Sequence, residues 1–420
     1  MLLQVKNKDI FASLDIGTSK IVCLIAIIEN SDLRIIGYSQ KAALGLSGSN
    51  ITDMKLAQKS LISVISEAEN IAGVNISKIL VNISANYSKS FHENITTNIS
   101  SDSVRNCDIV SITNKIRKKY IKNNYEIIHL IPLKYRIDNS YPVDNPYYMK
   151  GEKLNAQFHI VAVPKVIIRN IEECLKKCQV SINSYISDCY ASSISALTNN
   201  EKNLRTLFID IGSNVTSFCI YNESKLIYQD SINLGGINIT KDISTILNVP
   251  FKIAEKLKIL NSSLIIRPIE QKELIKIEKQ YAINNHISIT RAEFKDIIES
   301  RVEEVIIAIK NILEKSSINI EMISGIVVTG GSSSIIGIDR VISNIFLKNV
   351  RIGYPKRIAS QGGDYGGEIF GIGNCCSLGM ISFQCNKFLR NNIKKNVNKK
   401  SGLLRRTSNM FNNIYNSISN

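Results

Sequence analysis

An α/β protein of two lobes is expected from three stretches of this 420-residue chain: FASLDIGTSKIVCLIAI around Asp15, TLFIDIGSNVTSFCIY around Asp210 and GIVVTGGSSSIIGI around Gly330. Each starts as a run rich in Val, Ile and Phe, the mark of a buried strand, breaks at a glycine turn and resumes as apolar sequence. One lies in the first half and two in the second, so each half is expected to carry a mixed sheet with helices. Glycine at the break lets backbone N–H groups come close to an anion. In the first two, an Asp stands at the strand end two residues before the glycine, where a short carboxylate can hold a hydrated divalent cation. Two acidic glycine hairpins and one neutral one describe a nucleotide cleft.

In chain order, a strand hairpin over Ile10 to Ile28 and Leu33 to Gly37 precedes a helix from Thr52 to Ala72, with Leu56, Leu61, Ile62, Ile65 and Ala68 on one face. ILVNIS (79–84) reads as a strand that closes this unit. Residues 85–162 turn polar and loop-rich, with strands at NITTNIS and EIIHLIPLKYRI around a basic helix from Ile109 to Tyr120, as in an inserted subdomain. Regular patterning resumes over Lys165 to Cys178, and the second acidic hairpin follows. In LGGINITKDIS, Gly235 and Gly236 feed a helix whose N–H groups can meet a phosphate. Residues 245–320 read as helical and charged. A third glycine hairpin is expected at 325–338, then a helical run ending near Cys385, a basic linker at 386–401 and a final amphipathic segment.

Composition narrows the function classes. Hydrophobic content of 44% and charged content of 21% describe a globular protein of two or more domains. The net charge of +16 suggests nucleic acid at first sight. However, the sequence is inflated in Ile, Asn and Lys throughout. In addition Lys387, Arg390, Lys394, Lys395, Lys399, Lys400, Arg405 and Arg406 cluster at one end with no acid after Glu368. The charge is therefore a tail signal, and no nucleic-acid partner is expected. Nine cysteines without a CxxC pair, and an opening MLLQVKNKD in place of a signal peptide, fit a reducing cytoplasm. His92, His129, His159 and His286 lack zinc-site spacing, and Ile21 to Ile28, the longest apolar run, is too short to span a bilayer.

LDIGTSK (14–20), DIG (210–212) and TGG (329–331) resemble the first phosphate, second phosphate and adenosine segments of the actin, chaperone and sugar-kinase superfamily. More closely, LDIGTSKIV, HLIPLKYRID (129–138), LGGINITKDI, VVTGGSSSIIGI and VRIGYP (350–355), in this order, are similar to the FtsA family of bacterial cell-division proteins. The resemblance runs over nearly the whole chain. It implies an actin-like ATPase fold of two lobes with the family's inserted subdomain, 85–162, in the first. The first-lobe core would be 1–84 and 163–199 with a return of about 356–385. The second-lobe core would be 200–244 and 321–355, with 245–320 as its insertion.

It also implies ATP and Mg²⁺ as ligands. Asp15, Gly17, Thr18, Ser19 and Lys20 would form the first phosphate clasp, with Asp210, Gly212, Ser213 and Asn214 forming the second and Asp15 and Asp210 facing the metal. Gly235 and Gly236 would meet phosphate, Glu255 and Lys258 the nucleoside, and Gly330, Gly331 and Ser332 the adenosine. Glu255 and Lys258 read equally well as an i, i+3 ion pair. The second clasp departs from the family's DIGGGT: Ser213 and Asn214 replace glycines, and Val215 removes a hydroxyl, with Thr216 next in sequence as a candidate to replace it. No residue is marked as a general base, so at most slow ATP hydrolysis is expected.

At the C-terminus, Leu403, Leu404, Met410, Phe411, Ile414, Tyr415 and Ile418 fall within an arc of about 140° when 402–420 is wound as a helix, and Arg405 and Arg406 lie on the other side. The resemblance makes this a peripheral anchor on anionic lipids at the cytoplasmic side of the inner membrane, at the division septum. The implied partners are the tail of the tubulin-like division protein FtsZ docking on 245–320, further copies of this chain joined through the 85–162 insert, and other division proteins. A pilus-assembly or other actin-like scaffold and a sugar-kinase-type phosphotransferase are the alternative readings; the kinase gives no reason for the basic tail.

Overall fold

The computed structural model describes residues 9–399 apart from 30–31, 48–49, 278–287, 317 and 361–368. The expected membrane segment 402–420 lies outside the described residues, and Lys400 with it.

The first lobe opens with β1 (Ile10–Ile16), β2 (Lys20–Glu29) and β3 (Asp32–Ala42), an antiparallel meander whose central strand is buried from Ile21 to Ile27. A two-residue ladder, β4 (Leu46–Ser47) with β5 (Asn50–Ile51), leads into α1 (Met54–Ala72). Asp53 starts that helix by accepting the N–H groups of Lys55 and Leu56, and Gly73, at φ 66°, ends it. The buried face of α1 is Ala57, Leu61, Val64, Ile65 and Ala68; Leu56 and Ile62, assigned to that face by spacing, are exposed. The stripe is rotated because the helix lies on β2 and β3 through its small residues: a Cβ on Gly37 would come within 2.4 Å of Ala68 O. Next, β6 (Lys78–Ile83) runs parallel to β1.

Between β6 and the rest of the lobe stand β7 (Lys89–Asn98), α2 (Asn106–Lys122), β8 (Tyr125–Ile137) and β9 (Lys153–Pro164). They form a three-stranded sheet in the order β7-β9-β8, covered by α2 around a separate core that includes Ile112, Ile116, Leu154, Phe158 and Ile160. β9, the central strand, has no counterpart in the sequence reading, because its polar Asn155, Gln157 and His159 mask an otherwise apolar run. The chain then returns through α3 (Lys165–Lys176), β10 (Ser181–Ser187), α4 (Asp188–Ala196) and α5 (Asn199–Asn203).

In the second lobe, β11 (Thr206–Ile211), β12 (Thr216–Asn222) and β13 (Lys225–Ile232) repeat the opening meander. They are followed by α6 (Gly236–Leu247), α7 (Phe251–Asn261), the short pair β14 (Leu274–Lys276) and β15 (Ser288–Thr290), and α8 (Arg291–Lys315). β16 (Gly325–Thr329) is parallel to β11 and leads through a 3₁₀ turn into α9 (Ile338–Phe346), so the third glycine turn is strand-to-helix and not a hairpin. β17 (Val350–Ile352), β18 (Ala359–Ser360) and α10 (Cys375–Lys399) complete the order. The sheets read β10-β6-β1-β2-β3-β18 in the first lobe and β13-β12-β11-β16-β17 in the second. The stretch 386–399, read from its charge as a linker, continues α10. Basic and Asn-rich residues are acceptable helix formers once the helix has been nucleated by a packed apolar turn.

Two contacts make one molecule of these parts. α10 lies against α4 so closely that a Cβ on Gly379 would sit 1.8 Å from Ala191 O, and Ser195 Oγ donates to Cys375 O at 2.6 Å. Backbone atoms of two packed helices cannot retreat separately, so Gly379→Ala is expected to destabilise the fold by about 3 kcal/mol, visible as a lowered thermal midpoint. The insert, in turn, touches both lobes through imidazoles. His129 Nε2 accepts the Ser187 N–H at 2.9 Å on the first-lobe side. On the second-lobe side, His159 Nδ1 donates to Leu226 O at 3.0 Å and its Nε2 accepts from Ser90, while His92 Nε2 donates to Ile227 O at 2.8 Å. Burial pushes His129 and His159 down to about 3, so both are neutral and their tautomers are fixed by these partners. Lys225 adds bonds to Leu133 O (2.6 Å) and Asp144 (2.5 Å).

Candidate functional site: an acidic, glycine-walled cleft between the lobes

The two meanders end in equivalent turns. Gly17 N–H donates to Lys20 O, and Gly212 N–H to Val215 O, both at 3.0 Å. A Cβ at Gly17 would meet Lys20 O at 2.9 Å and one at Gly212 would meet Val215 O at 2.7 Å, so the tightness of each turn demands glycine. Gly330 is more constrained still: at φ 93°, ψ 162° its Cβ would lie 2.4 Å from Asp210 Oδ1 and 2.5 Å from Ile211 O. The three turns therefore meet at one place, a cleft of about 540 Å³.

Asp15, Gly17, Thr18, Ser19, Lys20, Asp210, Gly212, Ser213, Gly236, Glu255, Lys258, Gly330, Gly331 and Ser332 all line this cleft. Asn214 and Gly235 do not. Asn214 Oδ1 accepts from the Ser213 hydroxyl, and Gly235 packs its Cα against the second turn, where a Cβ would meet Ser213 O at 2.6 Å. Thr216 is no substitute for the hydroxyl lost at Val215: it is buried and donates to Leu234 O at 2.8 Å. Ser217, one residue on, faces the cleft. Glu255 and Lys258 line the cleft and form the ion pair at 2.8 Å. Lys258 Nζ further donates to Thr240 Oγ1 (2.7 Å) and Gly236 O (3.0 Å), which ties α7 to the first turn of α6.

Sequence reasoning missed Asn82, Ser84, Asp188, Gly373 and Cys376, which also line the cleft. Asn82 holds Asp15: its Nδ2 donates to Asp15 Oδ1 at 2.9 Å while its Oδ1 accepts Ile16 N–H at 2.7 Å. Asp210 Oδ2 accepts from the Ser192 hydroxyl at 2.5 Å. Asp188 starts α4 and accepts the N–H groups of Ala85 (3.0 Å) and Cys189 (2.6 Å). Lys20 Nζ donates to Asn374 Oδ1 at 2.5 Å and Gln40 Oε1 at 3.1 Å. Only the ILVNIS strand assignment hinted at Asn82, as a polar residue at the end of a buried strand.

Electrostatics decide what fits here. Burial, followed by the nearby Asp210 carboxylate, pushes Asp188 up to about 7; burial pushes Asp210 up to about 6; and burial raises Asp15, with Lys20 pulling the other way. Burial lowers Lys20 in turn. Three desolvated carboxylates facing one hindered lysine are short of positive charge, which a divalent cation supplies. Among the described residues no group of three or more His, Cys, Asp and Glu could hold a metal by itself. The donor set is oxygen, so the cation that suits it is one, such as Mg²⁺, that keeps its waters and brings an anionic ligand with it. The backbone turns around Gly17, Gly212 and Gly330 offer the complementary anion cradle. The start of α6, expected to meet a phosphate through Gly235 and Gly236, instead spends its N–H groups on Asn238 Oδ1, Gly212 O, Ser213 O and Gly235 O. At the far end Ile259, Leu260 and Ile336 are 69%, 68% and 60% exposed and give the cleft an apolar wall.

Comparison with solved structures gives this architecture its class. The chain superposes on the PilM-PilN type IV pilus biogenesis complex with a TM-score of 0.62 at 13% identity, covering 89% of this chain and 97% of that one. It superposes on MreB 5 of Spiroplasma citri bound to AMPPNP with a TM-score of 0.54 at 16% identity, over 93% and 100%, and on the same protein bound to ADP with 0.54. The fold is actin-like, two lobes about a cleft with an extra subdomain in the first. Residues 85–162 match the family model described as the SHS2 domain inserted in FTSA, and 207–367 match that of cell division protein FtsA. The cell division protein FtsA of Buchnera aphidicola subsp. Baizongia pistaciae (strain Bp) is 30% identical over 368 residues, 85% of this chain and 86% of the relative. That of Agrobacterium fabrum is 26% identical over 370 residues, 85% and 84%. The chain belongs to the FtsA family of cell-division proteins.

Proposed function

We propose that this protein binds ATP with Mg²⁺ in the interlobe cleft, lies on the cytoplasmic side of the inner membrane through its C-terminal segment, and tethers FtsZ there. The observation that carries the first part is the meeting of Asp15, Asp210 and Gly330 in one acidic, glycine-walled crevice. The glycine turns would take the phosphates, Asp15 and Asp210 would face the hydrated metal, and Asp188 would complete the ring. The wall of Ile259, Leu260 and Ile336 suits the face of a purine. Bound Mg²⁺ supplies charge neutralisation for the triphosphate; Asn82 and Ser192 keep two of the carboxylates oriented.

Membrane attachment is supported by the family and by the tail pattern. No helix among the described residues is long and apolar enough to cross a membrane. Seven apolar side chains, each contributing a fraction of the roughly 1.5–3 kcal/mol of full burial, give a reversible anchor when added to about 1 kcal/mol per nearby base at an anionic surface. For the FtsZ tail, the second-lobe groove of about 530 Å³ lined by Leu264, Ile265, Lys295, Arg340 and Asn344 is the receptor we favour. Self-association would run through the insert.

Co-sedimentation with phosphatidylglycerol-containing vesicles tests the anchor. The full chain is expected to pellet with the vesicles and the Phe411→Asp/Ile414→Asp variant to remain in the supernatant. Equal pelleting of the two forms would refute the anchor.

A further inference from the structure

The far end of the interlobe cleft presents hydrocarbon and very few free polar groups. Its walls are the last turn of α7, with Ile259 and Leu260, and Ile336 beyond the third glycine turn. The backbone joins the two walls, since Leu264 N–H donates to Ile336 O at 2.8 Å. Such a slot grips a flat ring by its faces. What tells one flat ring from another is the set of donors and acceptors offered to its edge.

Most of those donors and acceptors are already committed. Lys258 Nζ has three protons and spends them on Gly236 O (3.0 Å), Thr240 Oγ1 (2.7 Å) and Glu255 Oε2 (2.8 Å). Ser334 Oγ donates to Gly331 O at 2.8 Å, and Ser332 Oγ to Gly212 O at 3.0 Å. The N–H groups of Ser262 and Ile335 go to Lys258 O (3.0 Å) and Ser332 O (3.3 Å). Asn82 and the three aspartates are gathered at the opposite end around the glycine turns, and among the described residues no Gln or Arg lines the cleft. Two groups remain. Glu255 keeps its second carboxylate oxygen, which accepts from an amino group, and adenine and guanine each carry one. The Ser262 hydroxyl makes no hydrogen bond with another described residue. A hydroxyl turns to suit, so it donates to the guanine carbonyl as readily as it accepts from the adenine amino group.

We infer that the cleft selects purine nucleoside triphosphates as a class, binding GTP about as well as ATP. The inference rests on the reading of the cleft as a magnesium triphosphate site and adds which bases that site admits. Rejecting a wrong base by a factor of about 10⁴ requires buried polar groups that only the right base satisfies. Here either purine leaves the same groups satisfied, so little is lost when one replaces the other. A pyrimidine is disfavoured for a different reason: its single ring covers less of the aliphatic wall.

The test is equilibrium titration of the full-length protein with ATP, GTP and UTP, each with Mg²⁺, for wild type and for Leu260→Ala. Leu260 is exposed on α7, so its truncation leaves the fold intact, which an unchanged thermal midpoint checks. ATP and GTP are expected to bind wild type within about fivefold of each other, and UTP about tenfold more weakly than either. Leu260→Ala is expected to weaken ATP and GTP by the same factor, about threefold to fivefold. A larger preference of wild type for one purine overturns the inference while leaving the triphosphate reading of the cleft in place. Binding of UTP as tight as that of ATP does the same, as does a Leu260→Ala variant that loses one purine and keeps the other. Binding of none of the three removes the triphosphate reading and the inference with it.

Discussion

Gly330→Ala is expected to abolish ATP binding and to lower stability by about 3 kcal/mol, the largest effect of any single methyl group in the cleft. The backbone at φ 93°, ψ 162° is a region reserved for glycine, so the substitution is strained before any contact is considered. Its Cβ would then stand 2.4 Å from Asp210 Oδ1 and 2.5 Å from Ile211 O. Relief requires moving either the Asp210 carboxylate, proposed to face the metal, or the strand that presents it. Calorimetric titration of the variant with ATP and Mg²⁺, beside its thermal unfolding, separates the two losses. A variant that retains wild-type affinity would show that the third turn stands apart from the ligand.

The second large effect concerns Asp188. Its carboxyl titrates at about 7 in the folded protein and Asp210 at about 6, against about 3.9 for an unfolded Asp. Between these values the folded protein holds protons that the unfolded chain has released, so stability of the empty protein falls as pH rises from about 4 to about 7. For Asp188 alone the limit is on the order of 4 kcal/mol. Asp188→Asn removes its share: Oδ1 keeps the N–H groups of Ala85 and Cys189, and the new amide faces the remaining carboxylates as a donor. The variant is expected to unfold at a higher temperature than wild type at about pH 8, to match it near pH 4, and to bind Mg²⁺ with ATP at least tenfold more weakly. A variant less stable than wild type at alkaline pH would contradict this account of the cleft.

Such an arrangement, unfavourable when empty and satisfied by a cation, is how a site acquires a ligand-dependent shape. Mg²⁺ with ATP favours the ionised carboxylates, so the stabilisation it confers is expected to grow with pH across the same window. Closure of the lobes would be felt by the insert, because His159, His92 and Lys225 fix it to the β13 edge while His129 fixes it to β10.

The features legible from sequence were those written locally. Asp15 and Asp210 announce themselves because an apolar run, a carboxylate and a glycine turn are contiguous; Gly330 does so for the same reason. Asn82 and Asp188 reach the cleft from a strand end and a helix start that only the tertiary structure brings alongside, and no local pattern distinguishes them from capping or core residues. Gly235 looked like a phosphate ligand because it precedes a helix, yet its missing Cβ serves packing against Ser213. The exposed Leu56 and Ile62 show the limit of spacing arguments on α1, where close approach at Gly37 rotates the buried face. The linker assigned over 386–401 meets a helix as far as Lys399, because a run of charge by itself does not choose between helix and coil. The histidines were set aside for lacking metal spacing, while three of them, the buried His129 and His159 and the exposed His92, join the insert to both lobes.

Equilibrium titration of the full-length protein with ATP, with and without Mg²⁺ and beside Asp15→Ala, tests the central claim most directly. The account predicts saturable binding that needs Mg²⁺ and weakens about tenfold to a hundredfold in the variant. Binding that is indifferent both to Mg²⁺ and to the loss of Asp15, or no binding at all, would contradict it.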